Sequence, residues 1–290
     1  MYSALVVGGD GLIARALSAH LAATGWEVLG TTRRAEPLTG RLFFDLKDGF
    51  KTLPEDVVQQ SKVVFVCAAV TGFAACAIDP EGSSHINVTR TIELGHQFMQ
   101  WGARVVYLSS NAVFGGTQAG LDERAPTSAV TEYGRQKANC EAGLLAAAAQ
   151  LSGSCAVVRL TKVVDRAQPL YSGWMQSFKS HAPAKAAADL VMCPVTTAFV
   201  VSALQSIGAG NQGGVYHLSG ERDVTYYELA SAIAAELGGD ETVEKDWVRQ
   251  RLGAEPSPAY SALSMAHTTE TWGLLPQPLT EVAKELTGQE

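Results

Sequence analysis

Positive charge is scarce in this 290-residue sequence. The 22 Lys and Arg are outnumbered by 29 Asp and Glu, a formal net charge of -7, and no long basic block offsets the balance. Nucleic acid is therefore not an expected partner. Long apolar runs are lacking too. None reaches the roughly 18–20 residues that span a bilayer, so no membrane partner is expected. The N-terminus, MYSALVVGG, has no basic segment ahead of its apolar run and reads as a strand, not a signal peptide. Cysteine is sparse and scattered: Cys67, Cys76, Cys140, Cys155 and Cys193 form no CxxC pair. That spacing argues against a zinc site or any other metal centre and against a disulfide framework; free thiols point to a reducing, cytoplasmic setting.

What is present is an alternation of strand and helix signals. Ser3–Gly8 is a short apolar run ending in glycines, and Leu12 to Ala23 reads as a helix stopped by Gly25. Strands are predicted at Glu27–Thr31, Leu42–Phe44, Val63–Val66, Arg104–Ser109 and Cys155–Leu160, with helices over His85–Trp101 and Tyr133–Leu151. Val63–Val66 is apolar throughout, as a strand covered on both faces should be. The fold class is α/β, a doubly wound parallel sheet. After about residue 165 the rhythm breaks. Residues 1–165 are expected to form the sheet domain. Residues 166–290 are expected to form mainly a smaller C-terminal substrate lobe, with some segments returning to the sheet. In that lobe Val215–Leu218 reads as a strand, and Thr225–Leu237 and Thr280–Leu286 as helices. Tyr171, Trp174 and Phe178 are either core or a stacking platform.

The first turn, VVGGDGLIARAL, carries Gly8, Gly11 and Ala14 between a strand and a helix, the context a dinucleotide fingerprint requires. Gly8 suits the tight turn, Gly11 a close approach to a pyrophosphate, and Ala14 close helix–strand packing. Leu12 and Ile13 open the helix, whose free N–H groups and dipole favour an anion. The second strand ends in GTTRR, with no acid for a ribose hydroxyl. Arg33 and Arg34 can pair with a 2′-phosphate, which favours NADP(H) over NAD(H). Further on, EYGRQK places Tyr133 and Lys137 at i and i+4, on one helix face. A neighbouring ammonium favours the phenolate, so Tyr133 is expected to titrate below the usual phenol value and to exchange protons with a substrate oxygen. Lys137 is also placed to hold the cofactor ribose.

Taken in order, GGDGLIA, FDLKD, VFVCAA, INVTRT, YLSSNAVFG, YGRQK and VVRLTKVV resemble the extended short-chain dehydrogenases/reductases of the NAD-dependent epimerase/dehydratase type. The resemblance covers residues 1 to about 165 well and the rest loosely, and it implies a Rossmann domain. It also implies that Asp45 meets the adenine amino group, that Leu46 lines its pocket, and that Ala68 and Ala69 pass close to the cofactor. Asn87 would help a proton relay. Ser110, 23 residues before Tyr133, would be the catalytic serine and Ser109 structural. Asn111 and Thr161 are substrate-contact candidates. Where the family's dehydratases carry a carboxylate pair, this chain has Asn111-Ala112, which argues against water elimination. CPVTTAFVVSAL resembles an element of the dTDP-4-dehydrorhamnose reductase group. The implied activity is hydride transfer at a keto or hydroxyl carbon of a nucleotide-linked sugar by a Ser-Tyr-Lys triad. An epimerase with retained cofactor and a non-catalytic NADP(H)-binding subunit stay open. The resemblance also leaves a homodimer open: the Ala-rich face of Asn139–Gln150 would pack either against a second copy or against its own sheet.

Overall fold

Seven short segments, three to seven residues long and mostly apolar, become the strands of one sheet. In the computed structural model, which describes residues 3–36, 39–50, 53–239, 242–249 and 258–288, the chain packs into two units. The first comprises Met1–Phe114, Pro126–Arg159 and Val201–Tyr216, and the second Gly115–Ala125, Leu160–Val200 and His217–Glu290.

The first unit carries strands β1 (Ser3–Val7), β2 (Glu27–Thr32), β3 (Arg41–Phe43), β4 (Val63–Val66), β5 (Arg104–Ser110) and β6 (Cys155–Leu160). The sheet is seven-stranded, in the order β11-β6-β5-β4-β1-β2-β3, where β11 is Gly214–Leu218. The β1–β2, β1–β4, β2–β3 and β4–β5 pairs are parallel. This is the doubly wound arrangement expected from the sequence. The strand order reverses between β1 and β4, which opens a crevice at their carboxyl ends. All four residues of β4 are buried, and in β5 only Ser110 escapes full burial. Leu5, Val64, Val105, Leu94, Phe98 and Leu144 belong to the core beneath.

Helix α1 (Leu12–Ala23) is followed by Gly25 at φ +86°. The short helices α2 (Glu55–Gln60), α3 (Phe73–Ile78) and α4 (Pro80–Ser84) carry no clear periodic signal in the sequence. The single helix expected over His85–Trp101 is instead two pieces. A π-helical turn, His85–Arg90, precedes α5 (Thr91–Gln100). The Thr91 hydroxyl donates to the Ile86 carbonyl five residues back, and the widened turn leaves Asn87 buried. Such insertions recur at functional sites. Helix α6 (Glu132–Leu151) starts on Thr131, whose hydroxyl accepts from the Gly134 N–H at 3.1 Å.

The second unit is built from short pieces: β7 (Lys162–Val164), α7 (Pro169–Lys179), β8 (Ala184–Ala187), β9 (Val191–Met192), β10 (Pro194–Thr196), β12 (Val224–Thr225), α9 (Tyr226–Glu236) and β13 (Val243–Asp246). Between them, helix α8 (Thr197–Ala209) runs into the residues of the first unit. The strands pair as β10–β7, β12–β9 and β13–β8. Tyr171, Trp174 and Phe178 pack with Leu229, Ile233 and Val282, so they are core and not a stacking platform. The Trp174 indole N–H is satisfied by the Lys185 carbonyl at 3.0 Å. The five cysteines are free, and among the described residues no helix is long and apolar enough to cross a membrane.

Candidate functional site

The crevice holds a cavity of about 590 Å³, lined from the first unit by Gly8, Asp10, Gly11, Thr31, Arg33, Asp45, Leu46, Ala68 and Ala69 among others. The predicted phosphate turn, adenine end and cofactor-side alanines therefore meet around one space. Gly8 is dictated by packing as well as by the turn. It sits at φ +86°, and a Cβ there would lie 2.7 Å from the Ala68 backbone. Gly11 differs. Its would-be Cβ meets only the Gly8 carbonyl oxygen, at 3.5 Å, so the open space beside it is a cradle that any larger residue would fill. Gly11 also caps α1 without a side chain. That leaves the N–H groups of Leu12 and Ile13, in the first turn, free to face an anion. Ala14 is fully buried under the turn. Asp45 caps the turn Leu46–Asp48 through Lys47 N–H at 3.0 Å and still lines the cavity.

At the β2 end the arginines are arranged in a way the sequence did not reveal. Arg33 lines the cavity, while Arg34 lies 3.9 Å from Asp10, within the first turn itself. Asp10 also pairs with Arg41 of β3 and accepts from the Thr32 hydroxyl at 2.7 Å. That hydroxyl bond, joined by Arg41 and Arg34, holds the Asp10 carboxyl below its usual range against the opposing effect of burial. Asp10 and Arg41 were missed. The one available signal was the acid inside GGDG, facing a second strand that lacks one.

The catalytic candidates lie at the carboxyl end of β5 and the start of α6. The Ser109 hydroxyl donates to Glu141 and is structural. Ser110 accepts from the Ala112 N–H at 3.1 Å. Asn111 starts the single turn Asn111–Val113, and its Oδ1 lies 3.4 Å from the Ser110 hydroxyl. The Tyr133 ring stands edge-on to Phe73, with centroids 5.5 Å apart. Lys137 is buried. Its ammonium donates to the Leu108 carbonyl at 2.7 Å and lies 4.5 Å from the Tyr107 ring centroid and 5.8 Å from that of Tyr133.

The expected lowering of the Tyr133 pKa is overturned by its surroundings. Burial pushes the phenol up to about 12, with the Cys76 thiol adding to the rise and the nearby Ser110 hydroxyl opposing it. Burial also brings Lys137 down to about 8, partly offset by Cys140 and Glu141. The i, i+4 spacing does bring ammonium and phenol together. The ammonium is turned to the Leu108 carbonyl, however, 5.8 Å from the Tyr133 ring centroid, and burial dominates the phenol.

Asn87 is buried in the π-helical turn. Its amide accepts from Val70 N–H at 2.7 Å and donates to Val70 carbonyl at 3.0 Å and to Gln136 at 2.7 Å. Those bonds fasten the segment after Ala69 to α6. Thr161 lies in the second unit, buried, with its hydroxyl on the Leu218 carbonyl at 3.4 Å.

Gly134 sets the spacing between the turn after Ser110 and the start of α6. A Cβ there would fall on the Ala112 carbonyl oxygen, 2.9 Å from its carbon. Gly134→Ala is therefore expected to push α6 away from the turn after Ser110. Since overpacking typically costs about 1–3 kcal/mol, a urea melt should show a loss in that range. Unchanged stability would mean that this approach is not tight.

The profile of the RmlD substrate binding domain family matches residues 2–289 of the chain. Among relatives, the chain is 26% identical over 266 residues to methionine adenosyltransferase 2 subunit beta of Xenopus laevis, covering 88% of this chain and 78% of that protein. It is likewise 26% identical over 269 residues to the dTDP-4-dehydrorhamnose reductase of Mycobacterium tuberculosis, covering 90% and 84%. Among solved structures, the dTDP-4-dehydrorhamnose reductase of Bacillus anthracis in complex with NADP superposes with a TM-score of 0.80 at 18% identity, covering 100% of both chains.

Proposed function

The chain belongs to the RmlD substrate binding domain family, in the reductase-like branch of the extended short-chain dehydrogenases/reductases, and on that premise we propose that it is an NADP(H)-dependent reductase of a nucleotide-linked keto sugar. The observation that carries this reading is the placement of Ser110 at the end of β5 with Tyr133 and Lys137 on one face of α6, the Lys137 ammonium 5.8 Å from the Tyr133 ring centroid, where burial keeps the phenol protonated. A group that keeps its proton at neutral pH is suited to give it to a carbonyl oxygen. When bound, the nicotinamide supplies the reducing equivalent for the carbonyl carbon.

The chain's own residues do the rest. Gly11 with Leu12 and Ile13 receives the diphosphate, Asp45 and Leu46 the adenine, Ala68 and Ala69 the ribose, and Arg33 and Arg34 favour a 2′-phosphate. Ser110 donates to the substrate oxygen and Tyr133 protonates it. Lys137 keeps a positive charge beside both. Asn87 acts at one remove, by holding the segment after Ala69. Asn111 is a candidate substrate contact. The substrate class rests on the name of the M. tuberculosis relative and on Asn111-Ala112, which offers no acid or base for dehydration.

A second reading, a cofactor-binding subunit of a larger assembly, is favoured by the relatives named as a beta subunit of methionine adenosyltransferase. One experiment separates the two. NADPH and NADH absorbance is followed in parallel over a panel of dTDP- and UDP-linked 4-keto sugars. Oxidation of NADPH with one of them supports the reductase. Tight NADPH binding with no turnover across the panel supports the subunit. A wide preference for NADH would overturn the role given to Arg33 and Arg34.

The pH dependence follows from Lys137. Its ammonium is charged below about 8 and loses its proton as pH rises through that value. Turnover in the reductive direction is expected to fall above pH about 8, while Tyr133, at about 12, stays protonated. A rate profile flat to pH ~10, near the ordinary lysine value, would refute the role given to Lys137.

A further inference from the structure

Asp10 stands between two spaces. It lines the main cavity and also a smaller one of about 300 Å³ walled by Arg15, Arg34, Thr39 and Arg41. Two guanidinium groups, of Arg34 and Arg41, thus face one carboxylate beside the Thr31-Thr32 end of β2, and Arg15 lines the same small cavity. The carboxylate is fixed in place. One oxygen accepts from Thr32, and the other faces Arg41 and Arg34. The Thr32 hydroxyl in turn accepts from the Arg34 N–H at 3.1 Å, so strand end, arginine and acid form one cluster. Arg41 reaches the cluster because β3 pairs with β2 in a register that sets Arg41 against Gly30, and a Cβ on Gly30 would lie 3.4 Å from the Arg41 side chain.

Two chemistries compete at such a place. A carboxylate beside a ribose accepts hydroxyl hydrogens, which is how a 2′-OH is recognised. Guanidinium groups beside a ribose bind a phosphomonoester, which carries about -1.5 to -2 charges at neutral pH. Asp10 serves the first and obstructs the second, since it occupies the Arg41 donor and adds a like charge. We propose that Asp10 is the cofactor-specificity residue of this chain, an internal anion that competes with the 2′-phosphate of NADPH for Arg34 and Arg41 and thereby keeps NADH usable. The proposal rests on reading the cavity as a dinucleotide site. Because its carboxyl is held below the usual range, Asp10 stays ionised throughout the working pH range.

The test is equilibrium binding, by titration calorimetry, of NADPH, NADH, 2′,5′-ADP and 5′-ADP to the full chain and to Asp10→Asn. Asparagine keeps an acceptor for Thr32 and removes the charge. NADPH and 2′,5′-ADP should bind about tenfold tighter to the variant, the worth of one additional charge-assisted hydrogen bond to the phosphate. NADH and 5′-ADP should bind more weakly or no better. A second variant, Arg41→Gln, leaves Asp10 in place with one guanidinium fewer and should weaken NADPH about tenfold or more relative to NADH. A ratio of NADPH to NADH affinity that stays within twofold in both variants would overturn the proposal while leaving the cofactor reading intact. Absence of binding by all four nucleotides to the unaltered chain would overturn both.

Discussion

Tyr133→Phe is expected to cut kcat by ~10²–10⁴, the usual contribution of a positioned general acid. The size of the effect decides between two roles for the phenol. If Tyr133 only hydrogen-bonded the substrate oxygen, phenylalanine would cost about one neutral hydrogen bond, near tenfold. If it gives the proton, water must replace it in a pocket where the ring is packed edge-on against Phe73. The fold should survive, because the change deletes one oxygen and leaves the ring packed against Phe73. A stability loss of about 0.5–1.5 kcal/mol is expected. Turnover within tenfold of the unaltered chain would remove Tyr133 from the chemistry. A large loss of kcat together with a collapsed melt would point to packing instead, and Tyr133→Trp, which retains the ring contact, would then show whether the hydroxyl matters.

The same residue shows where sequence reasoning stops. Spacing fixes which side chains share a helix face, and Lys137 does lie near Tyr133. Spacing does not say how dry that face is. The ammonium turns to the Leu108 carbonyl and the Tyr107 ring, both contributed by β5, a strand 23 or more residues upstream. The sheet strands were legible because each is a short apolar run bounded by turn residues, and β4 and β6 are predicted to the residue. Arg41 was not, because its meaning lies in the β2–β3 register, a contact between strands of which one is three residues long. In the second unit β9 and β12 have two residues each, too few for any alternation to register. Asn87 was legible only in part. Its position in INVTRT marked it as special, but only the π-helical turn shows that it points inward to hold Val70.

Glu141→Ala is expected to cost about 3–5 kcal/mol of stability, because it strands a buried charge. The Arg159 guanidinium meets Glu141 through two nitrogens, at 2.7 and 3.1 Å, with both side chains about 5% exposed or less. Its guanidinium carbon lies 5.0 Å from the centroid of the Phe114 ring, which shields it further from water. Ser109 donates to the same carboxylate, so the cluster ties β5 and β6 to α6 directly behind Ser110 and Tyr133. Against a domain stability of about 5–15 kcal/mol, the loss is a large share, and a urea melt will read it. The double variant Glu141→Leu with Arg159→Met should recover most of it, since an apolar pair of similar volume incurs no desolvation cost for two charges. Recovery of stability without recovery of turnover would give the pair its reason to exist. Glu141 lies one turn beyond Lys137 and helps it hold its proton. With Glu141 gone, the lysine should lose its charge at a lower pH, and the alkaline limb of the rate profile should move below about 8 in the restored but carboxylate-free protein. If the single variant loses under ~1 kcal/mol, as an exposed pair would, the cluster is not the buried clamp the geometry describes. If the limb does not move, Glu141 is structural alone.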